Sequence, residues 1–103
     1  MNVLFFGSKL EWSAIKPYLK AKYAATAKQC AAILAEDEWN ILFLPSSQEI
    51  VDWIVENEPI IRNIIIHSED FPSADAMAKQ LRKARYKVSK VPMPTLLQNL
   101  RND

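Results

Sequence analysis

Four serines and a lone histidine stand where this chain could do chemistry. Gly7-Ser8 follows the apolar run Asn2 to Phe6, Pro45-Ser46-Ser47 follows Asn40 to Leu44, and His67-Ser68 closes Ile61 to Ile66. Each run has the length and apolarity of a buried parallel strand. In an open α/β sheet, ligands and reactive groups lie just past the carboxyl ends of such strands. Ser46 or Ser47 there could be a nucleophile, and His67 a general base or a phosphate ligand. No base adjoins the two serines in sequence, however, and Glu49, three residues on, explains Ser46 as a helix cap. His67 has no acidic partner identifiable in the sequence, which favours a structural, loop-fixing role. Glu69 and Asp70 could bring a cation to this end of the sheet, but a solvated acidic loop accounts for them more simply.

The composition narrows the chemistry further. Cys30 is the single cysteine and His67 the single histidine, which excludes an internal disulfide and a zinc site of Cys/His type within one chain. In Cys30-Ala-Ala-Ile-Leu the thiol reads as a small core residue of an apolar helix, and a lone cysteine suits a reducing cytoplasm. A chain of 103 residues, 50% hydrophobic and 24% charged with Gly7 as its one glycine, is expected to form one domain over residues 1–103 without linker or repeat. Val3 to Phe6 is too short for a signal-peptide core, and no apolar run approaches a membrane span. Neither secretion nor membrane insertion is therefore expected.

The net charge of +1 hides an asymmetry. Residues 1–35 carry five lysines against Glu11, residues 36–75 ten acids against Arg62, and residues 76–103 seven bases against Asp103. Such a balance gives little support to nucleic-acid binding and leaves protein partners or self-association open.

Strand and helix signals alternate throughout. Ser8-Lys9-Leu10-Glu11 has capping-box spacing, and the helix it opens is expected to reach about Lys22 unless Pro17 interrupts it or Ser13 is the true cap. A short strand is expected near Tyr23-Ala24-Ala25. A second capping box, Thr26 to Gln29, opens a helix to about Glu36, and a third, Ser46 to Glu49, opens one with Ile50, Trp53, Ile54 and Val55 on its apolar face. Ile61 to Ile66 reads as a central strand. Pro72-Ser73 leads into a helix with Ala74, Met77, Ala78 and Leu81 inward and Lys79, Arg82 and Lys83 outward. Tyr86 to Val91 is the fifth strand, and Pro94 to Leu100 a last short helix. Five such units predict an α/β fold of flavodoxin-like type: a doubly wound, five-stranded parallel sheet in the order 2-1-3-4-5, with another small α/β order as the alternative.

This succession resembles the receiver domain of two-component signalling, most closely its compact variety, the cyclic-phosphate-processing receiver domains. The resemblance covers Asn2 to Leu100. Its most specific stretch is Ile64-Ile65-Ile66-His67-Ser68-Glu69-Asp70-Phe71-Pro72-Ser73-Ala74-Asp75-Ala76-Met77, and Tyr86 to Met93 matches the last strand and its following proline. Receivers hold Mg²⁺ with an acidic pair after strand one, which here falls on Gly7 and Ser8. The compact family's Asp-His-Asp after strand three falls on Pro45, Ser46 and Ser47, and Val91 stands where a receiver keeps lysine. Ser68 alone matches the phosphorylation machinery.

The resemblance therefore implies a degenerate member. A hard dication needs carboxylate oxygens and phosphoryl transfer needs a nucleophile beside it, so neither metal, cofactor nor catalysis is expected. A lone glycine supports no nucleotide motif. The expected function is that of a non-catalytic pseudo-receiver, a protein-interaction module in a small regulator of bacterial or phage type. The partner would meet either the strand-end loops or a basic face of Lys79, Arg82, Lys83 and Lys87, which the charge distribution predicts to lie apart from the acidic stretch; a solvated helix face explains the same spacing. The alternative is a receiver-like protein that keeps a small ligand or cyclic phosphate on Gly7-Ser8, His67 and Ser68. Phe5, Phe6 and Phe43 are expected in the core. Trp12 and Trp39 are expected near element ends, and Phe71 in a loop over the site.

Overall fold

The computed structural model describes residues 1–102. Its strands are β1 (Val3–Phe6), β2 (Lys22–Ala24), β3 (Trp39–Leu44), β4 (Ile61–Ile66) and β5 (Val88–Lys90). They form one parallel sheet in the order β2-β1-β3-β4-β5. The helices are α1 (Lys9–Ile15), α2 (Ala27–Leu34), α3 (Gln48–Asn57), α4 (Phe71–Lys83) and α5 (Met93–Arg101), with a 3₁₀ turn at Lys16–Tyr18. The fold is thus α/β and flavodoxin-like, as the alternation of signals predicts.

Period-two alternation inside each apolar run builds two cores. Leu4 and Phe6 of β1, Leu42 and Leu44 of β3, and Ile64 and Ile66 of β4 face α2, α3 and α4, where they meet Cys30, Ile50, Ile54, Met77 and Leu81. Val3, Phe5 and Phe43 face the other way, onto Ile15 of α1 and Leu96 of α5. Both faces of the interior strands are covered, which is why β1 is buried at every position. Each fully buried leucine, isoleucine or phenylalanine contributes about 2 kcal/mol over the exposed state. Cys30 sits in the larger core, where burial pushes its thiol up to about 12 and leaves it without thiolate character at neutral pH.

Local physics moves several boundaries. α1 ends at Ile15 because Pro17 stands in the following 3₁₀ turn, so β2 begins earlier, at Lys22. Thr26 caps α2 through the amide of Gln29, but the Gln29 side chain accepts from Ala25 rather than from Thr26. Val51, not Val55, completes the buried face of α3. Phe71 is the first residue of α4 and exposed, not a loop residue. β5 keeps only three residues, because Tyr86 turns its ring onto the core and donates its hydroxyl to Pro59 O. No helix among the described residues is long and apolar enough to cross a membrane.

Candidate functional site

The carboxyl ends of β1, β3 and β4 meet at one edge of the sheet, where β1 and β3 lie side by side and their crossovers run in opposite directions. Such a switch point leaves a crevice. Here it is a cleft of about 630 Å³ between α1 and α5. Its walls are apolar, from Leu10, Ala14, Met93 and Leu97, with Pro45 at the end of β3. Its polar groups are Glu11, Ser46, His67, Ser68 and Glu69, and no lysine or arginine lines it.

Ser8 and Glu11 form a full capping box: Ser8 Oγ accepts from Glu11 N at 3.1 Å, and Glu11 Oε1 accepts from Ser8 N at 2.8 Å. That reciprocal bond turns the Glu11 carboxylate back over the end of β1. Its other oxygen, Oε2, then lies 3.6 Å from His67 Nδ1. Glu11 is the acidic neighbour of His67 that sequence reading missed; the capping box was legible, but nothing local in the sequence links α1 to the end of β4.

His67 is 1% exposed. Its backbone N–H donates to Leu44 O, extending the β3–β4 ladder, and its ring stacks on Phe5 with centroids 4.9 Å apart and planes 8° from parallel. Nε2 lies 2.8 Å from Phe6 O. A carbonyl only accepts, so Nε2 carries the hydrogen and donates. Nδ1 is buried without a hydrogen-bond partner. The ring is thus wedged at the strand ends against Phe5 and the Phe6 carbonyl, with one nitrogen left over on the side of the cleft.

The serines divide differently from expectation. Ser47, not Ser46, caps α3, its hydroxyl accepting from Ile50 N at 3.4 Å. Two adjacent serines offered two registers, and Glu49 made the wrong one resemble a capping box. Ser46 Oγ instead donates to Ser68 Oγ at 2.6 Å, joining the loops after β3 and β4. Ser68 Oγ also accepts from Asp70 N, and Asp70 in turn caps α4 through Ser73 N. Ser47→Ala is therefore expected to cost about 1 kcal/mol, whereas Ser46→Ala leaves the helix end intact and costs less than half as much. Urea unfolding of both variants measures this; equal losses would return the cap to Ser46.

Gly7 does not use glycine's left-handed freedom. It is needed for space: a Cβ there would lie 2.7 Å from Phe5 Cε1 and 3.0 Å from Glu11 Oε1. Its N–H donates to Ala24 O and its carbonyl accepts from Tyr23 Oη, while the Ser8 N–H is taken by Glu11. The Gly7-Ser8 turn therefore has no amide left to cradle an anion.

The basic residues on α4 and beyond do not stand apart from the acids, contrary to the charge-based expectation. Lys83 shares a groove with Asp52 and Glu56 of α3, and Lys90 is ion-paired with Asp75. Arg82 Nη2 donates to Val88 O at 3.0 Å, tying α4 to β5. Lys79 and Lys87 are exposed. Among the described residues no group of three histidine, cysteine or acidic side chains is arranged to hold a metal ion. Comparison of the chain with protein-family models, with curated proteins and with solved structures found no match.

Proposed function

We propose that this protein is a receiver-like interaction module that is neither phosphorylated nor dependent on Mg²⁺, and that it meets its partner through the strand-end cleft. One observation carries this reading. The ends of β1 and β3, where phosphorylation would need a metal-holding acid pair and an aspartyl nucleophile, carry Gly7 and Pro45, while the nearest carboxylate, Glu11, is engaged in a helix cap. The chemistry that remains is recognition. The cleft is favoured over the α4–β5 face because Arg82, Lys83 and Lys90 there already have intramolecular partners or acidic neighbours.

A phosphate-binding reading gains nothing from the geometry, since the turn amides are consumed and the cleft presents Glu11 and Glu69. Incubation with acetyl phosphate and Mg²⁺ is expected to leave the intact mass unchanged. An acid-labile, stoichiometric phosphoryl adduct would overturn the proposal.

A further inference from the structure

We infer that the cleft recognises a lysine side chain flanked by apolar residues, presented by a protein partner. The inference rests on the cleft being the interaction surface, and it names the chemistry of what enters. With Nε2–H committed to Phe6 O, Nδ1 of the neutral His67 ring is a bare acceptor. Facing it at 3.6 Å is a second acceptor, Glu11 Oε2. That separation is too long for a hydrogen bond between them, and a buried acceptor left without a donor costs free energy. Ser46 contributes a hydroxyl whose own hydrogen is already given to Ser68, so its oxygen too is left to accept. Glu69 adds a second carboxylate at the rim.

The cleft is thus rich in acceptors, bears two carboxylates and no basic side chain, and the Ser68 hydroxyl is the one lining side chain with a hydrogen free to donate. An ammonium group supplies three donors and a positive charge in one compact head, and its aliphatic stem suits walls of leucine, alanine and methionine. Glu11 Oε2 is its first contact, since Glu11 is 32% exposed whereas Nδ1 lies behind it. Two features favour a polypeptide over a free amine: Leu10 on the rim is 83% exposed, and about 630 Å³ exceeds what one butylammonium fills. Apolar residues beside the lysine would cover both.

The test is a ¹H–¹⁵N titration of the full chain with N-acetyl-Leu-Lys-Leu-amide. Beside it run the same peptide with norleucine or glutamate in place of lysine, and butylammonium alone. The lysine peptide is expected to shift the amides of Glu11, Ser46, Ser68 and Leu97, and to bind about tenfold more tightly than the norleucine peptide. Glu11→Gln keeps the cap, since glutamine serves in a capping box, and Glu69→Gln alters only an exposed side chain; the pair together should erase that tenfold preference. Equal binding of the norleucine or glutamate peptide would overturn the inference, as would a preference that survives both substitutions. Butylammonium binding as tightly as the peptide would transfer the site to free amines, and sedimentation showing that the protein alone associates through these residues would transfer it to a second copy. Either result overturns the assignment to a partner's lysine. A phosphoryl adduct would defeat the pseudo-receiver reading separately, whatever these peptides do.

Discussion

His67→Ala is expected to lower folding stability by about 3 kcal/mol, the largest loss of any single replacement at the strand ends. The ring is almost wholly buried and stacked on Phe5, so its removal leaves a void that close-packed neighbours fill only in part. The Phe6 carbonyl loses its bond from Nε2 as well. A domain of this size is stable by roughly 5–15 kcal/mol, so such a loss moves the urea midpoint far without changing the slope. His67→Phe separates the two contributions: it keeps a stacked ring and forfeits the hydrogen bond, and should cost about 1–2 kcal/mol. If alanine were tolerated to within half a kilocalorie, the wedge described for His67 would be wrong.

Gly7→Ala is expected to cost about 2 kcal/mol although it adds one methyl group and needs no unusual backbone angle. The new Cβ would collide with the edge of the Phe5 ring, and that ring has nowhere to go. It is held by His67 on one side, by Trp12 at 5.7 Å and by Phe43 at 5.9 Å. The same Cβ presses on Glu11 Oε1, so relief in that direction opens the capping box of α1. Combining Gly7→Ala with Phe5→Leu should cost less than the two single changes added together, because the smaller side chain removes the collision. Thermal or chemical unfolding of the three variants checks this. Additive losses would mean that the glycine serves something other than space.

Strand order was legible in the sequence because strand and helix signals alternate five times and right-handed crossovers leave few orders open. Ile61 to Ile66 is observed with the bounds its composition predicts, since Pro59 precedes it and His67-Ser68 follows. The inward residues of α4 were equally plain, Ala74, Met77, Ala78 and Leu81 recurring at helical spacing. Errors arose where two local solutions compete. Ser46 and Ser47 each fit as a cap, and only the bond from Ser46 to Ser68 across the loops decides between them. Charge along the chain misled for a related reason: α3 and α4 pack side by side, so acids and bases distant in sequence share one groove. The contact of Glu11 with His67 depends on the capping box, the Phe5 stack and the end of β4 together, and no spacing rule spans those.

The two outer strands have a consequence for how copies of this chain behave when crowded. β2 and β5 are each three residues long, and each bears a lysine, Lys22 and Lys90. An unpaired edge is a template on which another chain can extend the ladder, and its danger grows with length, flatness and apolarity. A three-residue edge offers few free amide and carbonyl groups, and bringing two β2 edges together would place their Lys22 ammonium groups near one another, whereas Lys90 at β5 is paired with Asp75. Growth into ribbons by strand addition is therefore disfavoured at both margins of the sheet, by a feature of its borders that the nearly neutral overall charge does not reveal.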